Sequence, residues 1–259
     1  MPAGEKEKKR SEASELIRGA RMHVELEQSY GADRLPFRPE RVQELREKRR
    51  ADAQAARGST SAGGKAAELE NLRKELEASC CCGLGKTRTH LVFGVGRPDS
   101  DLMFIGEAPG YHEDVQGIPF VGPAGQLLTK IIEAMGLTRN EVYIANICKC
   151  RPPENRLPTL EEVAACIPYL RRQIEIIQPR IIVTLGNLAT QRLLETTQGI
   201  TKIRGRFIQW GDIEVMPTFH TSYLLRNPAA KREVWDDMQK VHARMKELGL
   251  KIGELKSRK

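Results

Sequence analysis

Between residues 90 and 248, short apolar runs that stop at or beside glycine or asparagine alternate with longer segments of helical spacing, and this alternation limits the fold more than any other feature of the chain. The short runs are residues 90–94, 102–106, 142–146 and 180–185. Across residues 122–136, Leu127, Leu128, Ile131, Ile132 and Met135 recur at i, i+3 and i+4, which predicts an amphipathic helix stopped by Gly136. A second helix is expected over residues 159–178, opened by the capping-box pair Thr159 and Glu162. Gly186 turns the chain into a third over 187–195, and a last one spans 231–248. Residues 207–210 and 213–217 read as a hairpin around Gly211-Asp212. Strands alternating with helices predict an α/β chain: a three-layer αβα fold with a central, mostly parallel four-stranded sheet. Ligands in such sheets bind beyond the carboxyl ends of the strands.

The first part of the chain has a different texture. Residues 1–57 are rich in Lys, Arg, Glu and Ala and poor in large apolar residues. They predict a charged helical extension, partly disordered, joined by the linker GSTSAGG at 58–64 to a short helix over 66–78. The expected organisation is an extension and linker over 1–65, an α/β domain over 66–250 and a basic tail over 251–259. There is no run of about 18 apolar residues, so no membrane span is expected. The opening MPAGEKEKKR is too charged for a signal peptide, which makes a reducing, cytoplasmic setting the expectation.

A net charge of +8 suits a polyanionic partner, because Lys and Arg gain affinity by displacing counterions from phosphates. It suits a merely solvated basic surface equally well. The six cysteines fall into two groups, Cys80, Cys81 and Cys82, then Cys148, Cys150 and Cys166. Disulfides are disfavoured in a reducing compartment, so clustered thiols suggest a metal site. Four thiolates hold zinc or an iron–sulfur cluster equally, and neither a zinc-ribbon pair nor a ferredoxin run is present.

Several segments at strand ends carry possible chemistry. Gly106-Glu107-Ala108-Pro109-Gly110, followed by Glu113 and Asp114, is a tight turn with acids able to orient water or bind a polar edge. An ordinary surface turn fits it as well. Phe120 lies among small residues just before a helix N-terminus, where an aromatic can stack on a flat ligand, although a core role is the commoner fate of Phe. Asn146 ends a strand with an amide that both donates and accepts. His220 can donate to developing negative charge, and Ser222, Tyr223, Leu224, Leu225 and Arg226 after it form a loop whose apolar residues either wedge into a base stack or tuck into the core.

Taken together, GEAPGYHED, GIPFVGPAGQLL, VYIANICKCRPPENR, IIVTLGNLA and FHTSYLLRNP resemble the thermostable, iron–sulfur (family 4-like) branch of the uracil-DNA glycosylase superfamily, in order and at its separations, over residues 79–245. The resemblance implies a DNA-repair hydrolase that flips uracil out of single- or double-stranded DNA and cleaves the N-glycosidic bond with water, leaving an abasic site. By that analogy Glu107 and Glu113 position or activate water, Gly106, Ala108, Gly110, Phe120 and Asn146 bind uracil, and His220 stabilises the departing base. Ser222–Arg226 would be the loop that fills the gap in the duplex. A monomer working at the nucleoid is implied, with the extension over 1–65 available for DNA or a replication protein. A wider base range, hypoxanthine or xanthine, is the alternative within the family, and a non-catalytic uracil-DNA-binding module the alternative outside it.

Two departures from the family accompany the resemblance. Thr221 stands where the family has proline, which frees φ at that position. The family's first cluster cysteine falls on Ser79. The implied structural [4Fe-4S] cluster is therefore assigned to Cys80, Cys82, Cys150 and Cys166, with Cys81 competing for the first place and Ser79 the harder ligand. Cys148 is expected on the far side of its strand from Cys150 and is left out.

Overall fold

The computed structural model describes residues 62–79 and 82–255. The charged extension, most of the expected linker, Cys80 and Cys81 lie outside the described residues.

The chain enters the described part through helix α1, Ala62–Ser79. It starts four residues before the expected point and takes in Gly63 and Gly64, which the composition assigns to the linker. Leu69, Leu72 and Leu76 bury one stripe of it, and Lys65 Nζ donates to the Ile177 carbonyl over 3.0 Å. The sheet comprises β1 (Val95–Gly96), β2 (Leu102–Gly106), β3 (Tyr143–Asn146), β4 (Ile181–Leu185), β5 (Ile208–Trp210) and β6 (Ile213–Thr218), in the order β1-β3-β2-β4-β6-β5. The sheet has six strands where four were expected: a parallel core of β3, β2, β4 and β6, with antiparallel β1 and β5 at the edges.

Residues 90–94 are not a strand. Val92 and Phe93 are buried, and Val92 N–H donates to the Lys149 carbonyl over 2.9 Å, but pairing begins only at Val95. The apolar run signals burial without a ladder. The hairpin of β5 and β6 forms around Gly211-Asp212 as its sequence predicts.

Every residue of β2, β3 and β4 is buried, as befits strands covered on both faces. Their side chains alternate between two apolar layers. Leu102, Phe104, Ile144, Val183 and Met216 meet Leu128 and Ile132 of α3 (Pro123–Ala134) and Val234, Met238 and Val241 of the last helix. Met103, Ile105, Ala145, Ile182 and Val215 meet Leu72 and Leu76 of α1 and Val163, Leu170 and Ile174 of α4 (Leu160–Ile177). Each of the larger side chains among them, fully buried, contributes roughly 2 kcal/mol. Helix α4 opens on the expected box, Thr159 N–H donating to Glu162 Oε2 over 2.8 Å and Glu162 N–H to Thr159 Oγ1 over 3.2 Å.

Helix α5 (Asn187–Leu194) and one-turn α6 (Ile200–Ile203) follow β4. Two helices next to the strand ends are not visible in the periodicity, because six residues are too few. One is α2, Tyr111–Gln116, closed by Gly117 in the left-handed region (φ 71°). The other is α7, Thr221–Arg226, which replaces the expected loop. Helix α8, Lys231–Glu247, completes the fold. Beyond it, Leu250 and Ile252 pack against the core, and His242 Nε2 lies 2.9 Å from the Gly253 carbonyl oxygen, so the expected basic tail begins as a packed segment.

Candidate functional site

Parallel pairing brings four strand ends to one edge. Gly106 at the end of β2 pairs with Asn146 at the end of β3, and Leu185 of β4 pairs with Thr218 of β6, two residues before His220. The chain's connections change direction between β2 and β4, where open α/β sheets place their ligand crevice. A cavity of about 210 Å³ opens here, and Glu107, Ala108, Gly110, Glu113, Phe120, Asn146, His220 and Ser222 all line it. Three remote segments expected from sequence to converge do so.

Gly106, expected among the uracil-binding residues, does not itself line the cavity but packs against two side chains that do. A Cβ there would lie 2.4 Å from Asn146 Oδ1 and 2.5 Å from Phe120 Cζ, so only glycine lets both side chains reach the cavity. Phe120 has φ 56°, a costly conformation for an aromatic residue. The surrounding structure enforces it. Arg139 donates to the carbonyls of Pro119 over 2.7 Å and Phe120 over 3.0 Å. A Cβ at Gly125 would sit 2.0 Å from the Phe120 carbonyl carbon and oxygen, so glycine at the start of α3 is what lets the loop fold back. Arg139 carries no signal in the sequence, being a surface-type residue outside the quoted motifs.

Asn146 is 2% exposed, and its Oδ1 has no partner among the described residues. A buried carbonyl oxygen left so is unusual and points to a ligand donor.

The two acids part company. Glu113 was paired with Glu107 by sequence as an acid that orients water, yet its carboxylate is occupied by the backbone. Oε1 accepts from Val121 N–H (2.9 Å) and Gly122 N–H (2.8 Å), and Oε2 from Gly110 N–H (3.1 Å). It ties the start of α2 to the start of α3. Glu107 has no carboxylate hydrogen bond among the described residues, and burial raises its pKa above the ordinary carboxylate value.

His220 caps α7. Its Nδ1 accepts the Ser222 backbone N–H over 3.1 Å and lies 2.7 Å from Ser222 Oγ. With Nδ1 an acceptor, the neutral ring carries its hydrogen on Nε2. Burial first and the Arg226 charge second push its pKa down to about 4, against the opposing charge of Glu113. The ring is tilted 33° to Phe120, with centroids 5.8 Å apart. Thr221 takes the first helical position, where proline is well accommodated, so its presence leaves the helix intact.

Helix α7 separates the residues that sequence groups as one loop. Ser222 holds His220. Leu224 is 1% exposed and belongs to the core, which removes it from any surface contact. Tyr223 and Leu225 are exposed, at 38% and 46%, beside Arg226. On the other side of the site Pro152, Asn155 and Arg156 also line the cavity. Sequence reading includes that stretch in the motif VYIANICKCRPPENR but gives these three residues no role.

The cysteines gather behind the sheet edge. Cys82 Sγ is 3.9 Å from Cys166 Sγ, and the Cys82 thiol feels Cys150 as well. Burial and these neighbours push its pKa up to about 11. The Cys148 expectation fails. Residues two apart on an extended chain share a side, β3 has already ended at Asn146, and neighbouring Cys166, together with burial, pushes the Cys148 thiol pKa up. Arg88 Nη1 donates to Cys150 Sγ over 3.3 Å. Lys149 is wholly buried, with Nζ donating to Gln173 Oε1 over 2.5 Å and no carboxylate in hydrogen-bond reach among the described residues. Burial pushes its pKa down to about 7, opposed by Cys166, Cys148 and Cys150. Among the described residues no three side chains form a ready metal-holding group. Crowded buried thiols beside two cations are nonetheless the donor chemistry of an anionic, thiolate-held cluster.

Residues 93–239 match the family model described as the uracil DNA glycosylase superfamily. The chain is 45% identical over 182 residues to a type-4 uracil-DNA glycosylase of Sulfurisphaera tokodaii, covering 67% of this chain and 83% of that protein. It is also 45% identical over 185 residues to a type-4 uracil-DNA glycosylase of Thermotoga maritima, covering 70% of this chain and 96% of that protein. A type-4 uracil-DNA glycosylase of Saccharolobus solfataricus is 44% identical over 182 residues, 67% of this chain and 84% of its own length.

Proposed function

This chain belongs to the uracil-DNA glycosylase superfamily, and from that premise we propose that it hydrolyses the N-glycosidic bond of deoxyuridine in DNA at the Gly106 cavity, releasing uracil and leaving an abasic site. The observation that carries the reading is the convergence in one cavity of an unpartnered amide oxygen on Asn146, an aromatic ring on Phe120 and an Nε2 donor on His220.

A base inside a duplex is out of reach, so it must be flipped out, at a cost of a few kcal/mol. Flipped uracil stacks on Phe120. Asn146 Oδ1 accepts from the ring N3–H of uracil, and the amide nitrogen donates to O4. Cytosine reverses both groups and is refused. As the bond lengthens, the sugar becomes cationic and the base anionic. His220 then donates from Nε2 to uracil O2. A fixed donor aimed at such charge contributes about 3–4 kcal/mol. The neutral ring is the right form, since it stabilises the anion without first losing a proton to it. Glu107, as carboxylate, orients the attacking water and takes its proton. Glu113 acts at one remove, holding the walls that carry Phe120 and Gly110. Tyr223, Leu225 and Arg226 meet the strand at the gap left by the flipped nucleotide.

Cys82, Cys150 and Cys166, with Cys80 outside the described residues, are the proposed holders of a [4Fe-4S] cluster. When bound it supplies a covalent tie between three remote segments rather than redox chemistry. The protein is proposed to act as a monomer on nucleoid DNA, with the N-terminal extension available to DNA or a replication protein.

The test is release of uracil from single-stranded and duplex oligonucleotides, read as strand scission after alkali. Scission at U and not at T is expected. Intact strands for every uracil substrate would refute the proposal, and equal scission at hypoxanthine would widen the base range.

A further inference from the structure

The cavity has a second rim. Gly110 and Pro152 line it, and the residues next to them, Tyr111 and Arg151, come together outside it. The Arg151 guanidinium lies 5.2 Å from the centroid of the Tyr111 ring. The ring is 57% exposed, while the edge of His112 approaches it at 5.6 Å and 76°. Arg151 is not loose. Its Nε donates to Asn155 Oδ1 over 2.8 Å, and Asn155 itself lines the cavity. Glu154 and Asn155 both take φ near 56° and 55°, so the turn that holds Arg151 is a specific one.

An exposed aromatic ring beside a fixed guanidinium, at the mouth of a base pocket on a chain of net charge +8, matches what single-stranded nucleic acid offers: an unpaired base face and a phosphate. In a duplex the neighbours of the flipped nucleotide stay stacked within the helix and paired to the other strand. In a single strand the neighbouring base has a free face. We propose that Tyr111 and Arg151 form a subsite for a nucleotide adjoining the uridine in single-stranded DNA, the base stacking on Tyr111 and the phosphate meeting Arg151. The proposal rests on the glycosylase reading of the cavity. Stacking of this kind tolerates any base, so the subsite confers preference for strand state rather than for sequence.

The experiment compares the full chain with Tyr111→Ala, Tyr111→Phe and Arg151→Gln. The substrates are a single-stranded uracil oligonucleotide, the same strand in a duplex, and a single strand in which both neighbours of the uridine lack bases. Tyr111→Ala should raise KM on the single strand about tenfold with kcat unchanged, whereas the duplex changes less than about twofold. Tyr111→Phe should restore the wild-type KM. On the strand with baseless neighbours, wild type and Tyr111→Ala should converge. Equal losses on single strand and duplex, no loss on the single strand, or a Phe variant as poor as Ala each overturn the subsite. If the wild-type chain releases no uracil at all, the glycosylase reading fails instead. Anisotropy of a labelled single-stranded oligonucleotide then still reads the Tyr111 contact.

Discussion

The backbone N–H of Ser222 donates to Nδ1 of His220 over 3.1 Å and thereby fixes which ring nitrogen carries the hydrogen. The ring's other nitrogen is then a permanent donor as long as the ring stays neutral. Since His220 is held near a pKa of about 4 rather than the ordinary 6.5, it remains neutral throughout the physiological range. The pH profile of kcat should therefore show no limb near 6.5. His220→Ala should lower kcat by about 10²–10³-fold. Ser222→Ala should cost far less, because the backbone donor survives. A kcat profile with an inflection at the ordinary histidine value would contradict this tautomer assignment.

Glu107 supplies the acid limb. Its burial favours the protonated form, and the carboxylate is the working form, so activity is lost as pH falls through a value above the ordinary carboxylate pKa of 4.5. In Glu107→Gln that limb should vanish together with most of kcat, KM staying close to wild type. A limb that persists unchanged in the variant would assign the base elsewhere. Glu113→Gln should behave differently. It keeps one oxygen for the backbone but loses the charge, so it should shift the thermal midpoint and raise KM rather than abolish turnover.

Gly106→Ala tests the packing behind the cavity's side chains. The added methyl would meet the Phe120 ring at 2.5 Å and Asn146 Oδ1 at 2.4 Å. Overpacking of this order costs about 1–3 kcal/mol of stability. The variant should stay folded by circular dichroism yet bind a uracil oligonucleotide weakly, with kcat/KM down by at least about 100-fold. Near-normal activity would show that Phe120 and Asn146 can give way without loss of function.

The thiols can be separated one by one. Wild-type protein purified without oxygen should absorb near about 400 nm and carry about four irons per chain. Cys82→Ala, Cys150→Ala and Cys166→Ala should each lose both. Cys148→Ala should keep both despite its contact with Cys166. Iron lost from Cys148→Ala and retained in a Cys80 variant would move the fourth ligand to Cys148. A stably folded, active wild type free of iron would remove the cluster altogether.

Much of this was legible because the parallel strands are buried on both faces and their helices have long apolar stripes. Strands β2, β3 and β4 show as short continuous apolar runs, β6 as half of a hairpin, and the helices over 123–134, 160–177 and 231–247 as periodic apolar stripes. The signals failed where an element is short or where burial and pairing part. Val92 and Phe93 are apolar because they are covered, not because they are paired. Six-residue α2 and α7 are too short to show a period, so nothing in the sequence separates Leu224, which faces the core, from its exposed neighbours Tyr223 and Leu225. The site was legible as a set of residue types. The division of labour between Glu107 and Glu113 was not, because it depends on which backbone amides reach a carboxylate after folding. Arg139 and Tyr111 were missed for the same reason: each acts through a partner distant in sequence or through exposure.

The contact of Gly106 with both Phe120 and Asn146 has a consequence for how the pocket can change over generations. Behind those two side chains the backbone has no side-chain atom left to give up. A descendant that accepts a bulkier damaged base must therefore trim Phe120 or Asn146 themselves, or gain room beside them at Ala124. In the first case the space is won from the very groups that would recognise the base.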